Sequence, residues 1–293
     1  MKHNLDFTLL HIGYAEHRAD WNWKNINSPF ARIHLILQGN AKIVREDKTV
    51  ELKENHFYLT PSHTRHGYEC NSNLKLFYIH IYERPDKMPS VFDLLRFPTE
   101  IVADQLTTNL VERLYQINPG RELSYYDPND YDNATELSRN IALQGSTPIA
   151  LELESQAIIK QIFSRFFAYA EELTPAVDSR MTRVLEYIHI HIDTVIPMAK
   201  LAEISCLTKD HMIRSFKKQM NCTPGKYINR KKIEKAQLNL LVEDCSVQEL
   251  AYKLGFDNIF YFNRLFKKLT GENPTTYRKR LKSVQNRSEL NVE

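Results

Sequence analysis

Two hydrophobic periods divide the chain. From about residue 7 to residue 83, apolar and polar positions alternate in short runs broken by turn residues. Ile33, Leu35 and Leu37 alternate with His34, Ile36 and Gln38, and Gly39–Asn40 makes a turn. Ala41–Glu46, Thr49–Leu52 and His56–Thr60 read as further strands, separated by Asp47–Lys48 and by Lys53–Glu54–Asn55. In Leu74–Tyr82, Phe77, Ile79 and Ile81 fall on one face, and Leu76, Tyr78, His80 and Tyr82 on the other. Strands this short and closely spaced predict an all-β sandwich or barrel.

Beyond that region the period lengthens to that of a helix. Thr99–Ile117 carries Ile101, Leu106, Leu110, Leu114 and Ile117, and Asn118–Pro119–Gly120 stops it. Ser124–Asn133 is polar and tyrosine-rich and reads as a loop. Pro148–Glu172 reads as a long helix with Pro148 in its first turn. Its stripe of Leu151, Ile158, Ile162, Phe163, Phe166 and Phe167 must be covered by the barrel or by a second subunit. Leu173–Val177 reads as a linker, Asp178 to about Lys282 as helical throughout, and Ser283–Glu293 as a polar tail.

The helical C-terminal part contains a repeat. Arg214, Phe216, Lys217 and Lys218 recur fifty residues later as Arg264, Phe266, Lys267 and Lys268. Pro224 and Tyr227 recur as Pro274 and Tyr277, and Leu201-Ala202 as Leu250-Ala251 at an offset one shorter. So many matches in register indicate a duplicated unit. In the second copy, Ser246 and Glu249 form a capping box before an apolar face of Val247, Leu250, Ala251 and Leu254. Gly255 supplies a left-handed turn, Asn258 starts the next helix, and Phe262, Phe266 and Leu269 mark its inner face. In the first copy, Met198, Leu201 and Ala202 pack the first helix. Thr208 caps the second, Met212 and Phe216 face inward, and Asn221 stops it. Two helices joined by a tight turn form a helix-turn-helix unit, whose second helix enters the DNA major groove. Between the copies, Pro224 to about Val242 reads as one helix of roughly 28 Å. The pitch separating successive major-groove faces is roughly 34 Å, so one monomer is expected to read two adjacent segments.

Charge supports this division. The formal net charge of +3 splits into −5 over residues 1–177 and +8 over residues 178–293. A basic half attracts phosphates, and an acidic half does something else.

The run from Leu201-Ala202 through Arg214-Ser-Phe216-Lys217-Lys218, Pro224-Gly-Lys-Tyr227, Gly255-Phe256-Asp257 and Tyr261–Lys268 to Pro274 and Tyr277-Arg278 resembles the DNA-binding domain of AraC/XylS-family regulators. Thr208, Met212, Asn221 and Lys232 stand where that family more often has Ser, Leu, Gly and Arg. The resemblance implies base-reading residues at Asp210, Ile213 and Arg214, and at Ile259, Phe260, Asn263 and Arg264. Arginine can fork onto guanine, aspartate can accept from cytosine, and apolar side chains can meet thymine methyls. Lys209, Lys217, Lys218, Lys267 and Lys268 are then expected on phosphates.

The strands with Gln38-Gly39, Phe57–Pro61 and His66 are similar to the cupin-like barrel of sugar-responsive members of that family. This implies an effector pocket inside the barrel and a helical dimer contact after it. Trp21, Trp23, Arg32, His34, His63, His66, Tyr78 and His80 are the candidate lining.

The expected architecture is therefore multidomain α+β. A cupin-like effector-sensing barrel spans 1–90 and a helical dimerisation or packing segment 91–172. A linker at 173–180 leads to an all-α DNA-binding domain at 181–282, with two helix-turn-helix units joined by a long helix, and 283–293 form a tail. The partners implied are double-stranded DNA, RNA polymerase, a small-molecule effector and a second copy of the chain. A ligand-independent regulator is the alternative.

Other classes find little support. Eight of eleven histidines precede residue 85, but His63-Thr-Arg-His66 lacks the spacing of a cupin metal site, so neither metal nor cofactor is expected. A repair methyltransferase would need an activated cysteine, and Cys70 lies beside Glu69. No reacting constellation can be named, so no enzyme is expected. The four cysteines form no C-x-x-C pair, which fits a reducing cytoplasm. No run of about 18 apolar residues or signal core occurs, so neither a membrane span nor secretion is expected.

Overall fold

A computed structural model describes residues 5–83, 90–123, 125–128, 147–172, 179–220, 222–242 and 245–283. Two compact units emerge, the first built chiefly from Met1–Arg84 and Phe97–Ala170, the second from Pro85–Arg96 and Glu171–Lys279.

The first unit contains β1 (Phe7–Arg18), β2 (Trp23–Ile26), β3 (Ala31–Gly39), β4 (Ala41–Arg45), β5 (Thr49–Leu52), β6 (His56–Thr60), β7 (His66–Glu69) and β8 (Asn73–Glu83). An antiparallel five-stranded sheet runs β1-β8-β3-β6-β10, its last strand being Glu100–Val102, and a four-stranded sheet runs β2-β7-β4-β5. Their inner faces share one core. Ala15, Ile36, Leu76 and Tyr78 come from one sheet, and Ile26, Ala41, Ile43 and Tyr68 from the other. Strand alternation makes this possible, because residues two apart share a face. The outer face of the larger sheet is also apolar and is covered by the helices Gln105–Gln116 and Ile149–Phe167 (α2 and α3). The Phe7 ring lies 4.8 Å from Phe163, and Phe77 lies 5.7 Å from Tyr115. The stripe of Ile158, Ile162, Phe163 and Phe166 is therefore buried within this unit.

Three boundaries differ from the periodicity reading. Ile101 belongs to β10 and pairs with Phe57, so it is not part of a helix beginning at Thr99. The helix starts after Asp104, whose carboxylate accepts the Thr107 N–H in a capping box. The long helix ends at Phe167, and Glu171–Glu172 (β11) pair with Leu95–Arg96 (β9). Residues 85–96, divided above between barrel and packing segment, group with the second unit, because the short helix Val91–Leu94 (α1) brings Asp93 to Arg230 and Lys231. Of the expected linker, 173–178 lie outside the described residues, and Ser179 and Arg180 are already helical. Most of the expected loop at Ser124–Asn133, the expected stop at Asn221 and nearly all of the tail also lie outside them.

The second unit continues with α4 (Ser179–Ile190), α5 (Met198–Ser205), α6 (Lys209–Met220), α7 (Pro224–Val242), α8 (Val247–Lys253), α9 (Ile259–Thr270) and α10 (Pro274–Ser283). The repeat has a packing cause. Phe216 sits on Tyr227 at 5.6 Å, and Phe266 sits on Tyr277 at 5.3 Å, so each copy keys its second helix to the helix that follows. Leu201 with Ala202, and Leu250 with Ala251, are buried at the matching helix contacts. Leu269 is 38% exposed and does not belong to the inner face, which Phe262 and Phe266 suffice to fill.

Both interhelical turns pass through the left-handed region. Gly255 does so at φ 68°, where an added Cβ would lie 2.8 Å from the Thr194 backbone. In the first copy the corresponding position, at the shorter offset, is Cys206 at φ 52°. A side chain in that conformation costs about 1–2 kcal/mol. Cys206→Gly is therefore expected to stabilise the helical unit by about 1 kcal/mol, seen as a higher urea midpoint by circular dichroism at 222 nm. An unchanged or lower midpoint would show that this turn stores no strain.

Candidate nucleic-acid interface and barrel interior

The second helices of the two units carry the expected recognition residues. On α6, Lys209, Asp210, Arg214, Lys217 and Lys218 are exposed, while Ile213 is half-buried against the first core. On α9, Phe260 is 80% exposed, Arg264, Lys267 and Lys268 are exposed, and Ile259 and Asn263 are half-buried. The Asn258 side chain caps α9 by accepting from the Phe260 and Tyr261 N–H groups. Phe260 therefore lies on the outward face of α9 with Arg264, Lys267 and Lys268.

Central helix α7 does more than separate the copies. Lys232 is 4% exposed, and its ammonium donates to the Thr194 carbonyl at 2.9 Å and the Gly255 carbonyl at 3.3 Å. Thr194 precedes the first helix pair and Gly255 is the turn of the second, so one side chain binds a fixed point of each copy. Burial lowers the Lys232 pKa, opposed by Asp193 and Asp257. Asn229, also on α7, donates to the Tyr261 hydroxyl at 2.8 Å, and the Arg264 guanidinium lies 5.8 Å from the Tyr261 ring centre. One expected reading residue is thus braced from the rod through Tyr261. This chain of contacts left no periodic signal in the sequence.

The rod is also held from α1. Lys231 lies 2.5 Å from Asp93 and 2.6 Å from Glu234, and Arg230 lies 3.2 Å from Asp93. Burial lowers the Lys231 pKa, but Asp93 and Glu234 together outweigh it, and the net shift is upward. Tyr227 and His189 share a hydrogen bond of 2.8 Å beside this group.

In the first unit, register stacks the barrel interior in layers. Arg32 stands opposite His80 and Thr60, His34 opposite Tyr78 and Tyr58, and Ile36 opposite Leu76. On β1, His11, Gly13 and Ala15 face His80, Tyr78 and Leu76. A Cβ on Gly13 would fall 2.2 Å from the Tyr78 hydroxyl, so the missing side chain makes room for that ring. Trp21 stacks on Tyr68 at 3.9 Å and meets His34 edge-on at 5.4 Å. Trp21, Arg32, His34, His66, Tyr78 and His80 are therefore brought together, all buried. Trp23 is half-buried against the same core. His63 is half-buried in the loop before β7, at φ 56°.

The sequence reading missed His11, whose Nδ1 lies 3.2 Å from the His80 Nδ1, and Tyr68, whose hydroxyl lies 3.0 Å from His66 Nε2. Burial drives the His34 pKa down to about 3, with Arg32 adding to the shift. Burial, then Arg32, likewise holds His66 and His80 well below the usual value. The described interior thus sets the buried Arg32 guanidinium beside imidazoles whose charged form burial disfavours. Among the described residues, no group of three or more His, Cys, Asp or Glu is arranged to hold a metal ion. Cys70 is buried, and its thiol donates to the Ser72 carbonyl at 3.0 Å. No helix among the described residues is long and apolar enough to cross a membrane.

A β-sandwich with a polar, aromatic interior, joined to a duplicated helix-turn-helix unit, defines a DNA-binding regulator with a ligand-binding domain. Comparison with known proteins agrees. Residues 4–120 match the family model for an AraC-like ligand binding domain, and residues 201–280 match that for a helix-turn-helix domain. The chain is 23% identical over 259 residues to the uncharacterized HTH-type transcriptional regulator YdeC of Bacillus subtilis, covering 84% of this chain and 82% of that one. It is 28% identical over 131 residues to the arabinose operon regulatory protein of Escherichia coli, covering 44% of each. Among solved structures, ToxT from Vibrio cholerae has the same fold, with a TM-score of 0.51 at 14% identity, over 94% of this chain and 99% of that one. This chain belongs to the AraC/XylS family of DNA-binding transcription regulators.

Two outcomes follow from this geometry. Lys232→Met should remove the charge-assisted hydrogen bonds to the Thr194 and Gly255 carbonyls and cost about 1–3 kcal/mol of helical-unit stability. It should also weaken binding to a two-half-site DNA more than to a single half-site; equal losses in gel-shift titrations would show that Lys232 does not hold the copies in register. In the barrel, an unfolded histidine takes its proton near pH 6.5, while folded His34 refuses it until about pH 3. Stability is therefore complete above about pH 6.5 and falls as pH drops toward 3. At pH 5.5 the loss is about 1.4 kcal/mol from His34. Both tryptophans, Trp21 and Trp23, lie in the barrel, so urea unfolding followed by their fluorescence reads it directly. His34→Gln should reduce the difference between pH 7.5 and pH 5.5.

Proposed function

We propose that this regulator reads two adjacent major-groove segments with α6 and α9 and is switched by a small molecule held in the barrel. The observation that carries the reading is the exposure of Arg214 and Arg264 at equivalent positions of two recognition helices flanking one nineteen-residue rod. Arg214 and Arg264 fork onto guanine, and Asp210 and Asn263 add polar contacts to base edges. Phe260, with the exposed parts of Ile213 and Ile259, meets thymine methyls. Lys209, Lys217, Lys218, Lys267 and Lys268 lie along phosphates and set position without reading sequence.

Switching needs the effector to bind one arrangement of the protein more tightly than the other. The candidate pocket is the buried group of Trp21, Arg32, His34, His66, Tyr78 and His80, with Trp23 and His63 at its margin. The protein acts in the cytoplasm as an activator that contacts RNA polymerase, as a homodimer, and carries no catalytic activity. Its relatives are transcriptional regulators, which supports that assignment. A role set by expression level alone is the second reading.

Selection of bound DNA from a random pool should return two half-motifs about one helical turn apart. On that site, Arg214→Ala or Arg264→Ala should cost about 1–3 kcal/mol, with a far smaller cost on random DNA. Lys217→Ala should weaken both alike and lower the salt slope by about one. Equal losses on both DNAs for the arginine variants would remove them from base reading.

A further inference from the structure

We propose that Asn229 and Tyr261 are positioning residues for base reading: they hold Arg264 so that the half-site under α9 is read more stringently than the half-site under α6. This rests on Arg214 and Arg264 being the base-reading arginines and adds a rank order between them.

The two arginines occupy equivalent positions in unequal surroundings. The Arg264 guanidinium carbon lies 5.8 Å from the centre of the Tyr261 ring, three positions back on the same face of α9. Tyr261 is itself held at both ends. Its backbone N–H donates to the Asn258 side chain at 3.1 Å, in the cap that starts α9. Its hydroxyl accepts from the Asn229 amide at 2.8 Å, thirty-two residues away on the rod. The buried Phe256 ring lies 6.2 Å from it. In the first copy, the position fifty residues before Tyr261 is His211, which is exposed. The cap bond there, from the His211 N–H to the Thr208 hydroxyl, is 3.4 Å long. Among the described residues, neither the His211 ring nor the Arg214 guanidinium has a side-chain hydrogen bond, ion pair or ring contact.

Discrimination is the difference in affinity between the right base and a wrong one. A guanidinium on an unheld stem that meets a wrong base can swing to a phosphate and recover an attraction that ignores sequence. A held guanidinium has less of that escape, and it gives up less freedom when it forks onto guanine. The attraction of a cation to an exposed ring is small, so fixing the ring matters as much as the ring itself. Asn229 does the fixing, from a helix that belongs to neither reading unit. The brace therefore acts on base selectivity more than on total affinity or on fold stability.

The test uses the full-length chain in gel-shift titrations, at one salt concentration, on the two-half-site DNA recovered from the random pool. The base pair read by each arginine is the one whose replacement no longer matters in Arg214→Ala or in Arg264→Ala. On the unmodified chain, replacing the Arg264 pair should cost at least about threefold more affinity than replacing the Arg214 pair. Asn229→Ala and Tyr261→Phe should each remove about threefold of the discrimination at the Arg264 pair. Both should leave the Arg214 pair and the circular dichroism melting temperature unchanged. Their combination should lose no more than either alone, because both break one hydrogen bond. Equal discrimination at the two pairs in the unmodified chain, or variants that weaken matched and mismatched DNA alike, would overturn the positioning assignment and leave Arg264 a base reader. Additive losses in the double variant would also overturn it, by showing that the Tyr261 hydroxyl acts on DNA without Asn229. If Arg264→Ala flattens the response at no base pair, Arg264 is removed from base reading and this proposal goes with it.

Discussion

The architecture of the DNA-reading half depends on one buried cation. Lys232 leaves the central rod and donates to carbonyls on either side of it, at Thr194 and at Gly255. Taking an ammonium out of water is expensive, and two carbonyls repay it only if both stay in place. That coupling of cost and geometry makes the side chain a register pin. Apolar packing adds to it, since Tyr227, Ile233, Ala236 and Leu240 of the rod are also buried. Gly255 belongs to the same device. Its left-handed turn brings the carbonyl within reach, and its missing side chain lets the rod and the Thr194 segment close in.

The barrel handles its charge in the opposite way. Burial holds the His34, His66 and His80 pKa values below the usual imidazole range, and Arg32 adds to the shift. The interior therefore sets the Arg32 guanidinium beside imidazoles in which a further positive charge is disfavoured. The aromatic and aliphatic layers beyond it contribute area and little direction.

What the sequence made legible follows from what leaves a local signature. The duplicated unit was readable because Phe216 with Tyr227, and Phe266 with Tyr277, repeat the same contact at the same spacing. Ser246 with Glu249, and Gly255, were readable because caps and left-handed turns restrict residue type. Cys206 in the matching turn was not, since cysteine carries no preference for that conformation. Arg32, His34 and His80 were readable through strand alternation, whereas His11 was hidden. Strand β1 is buried on both faces through residues Phe7–Gly13, and its register shifts between Leu9 and His11, so alternation is lost there. Ile101 misled because one apolar residue fits a helical stripe as well as a three-residue edge strand.

The α1 segment left the least signal in the sequence. In chain order, 85–96 falls between strands β8 and β10 of the barrel, yet its contacts place it with the helical unit. Asp93 is the reason. It meets two cations of the rod, and Lys231 is only 11% exposed, so removing the carboxylate would leave a buried ammonium dependent on Glu234 alone. Leu95 and Arg96 then pair with Glu172 and Glu171, which lead into the helical unit. The polypeptide therefore leaves the barrel sequence, is fixed to the rod by charge and to the incoming chain by backbone hydrogen bonds, and returns to the barrel sequence at Phe97.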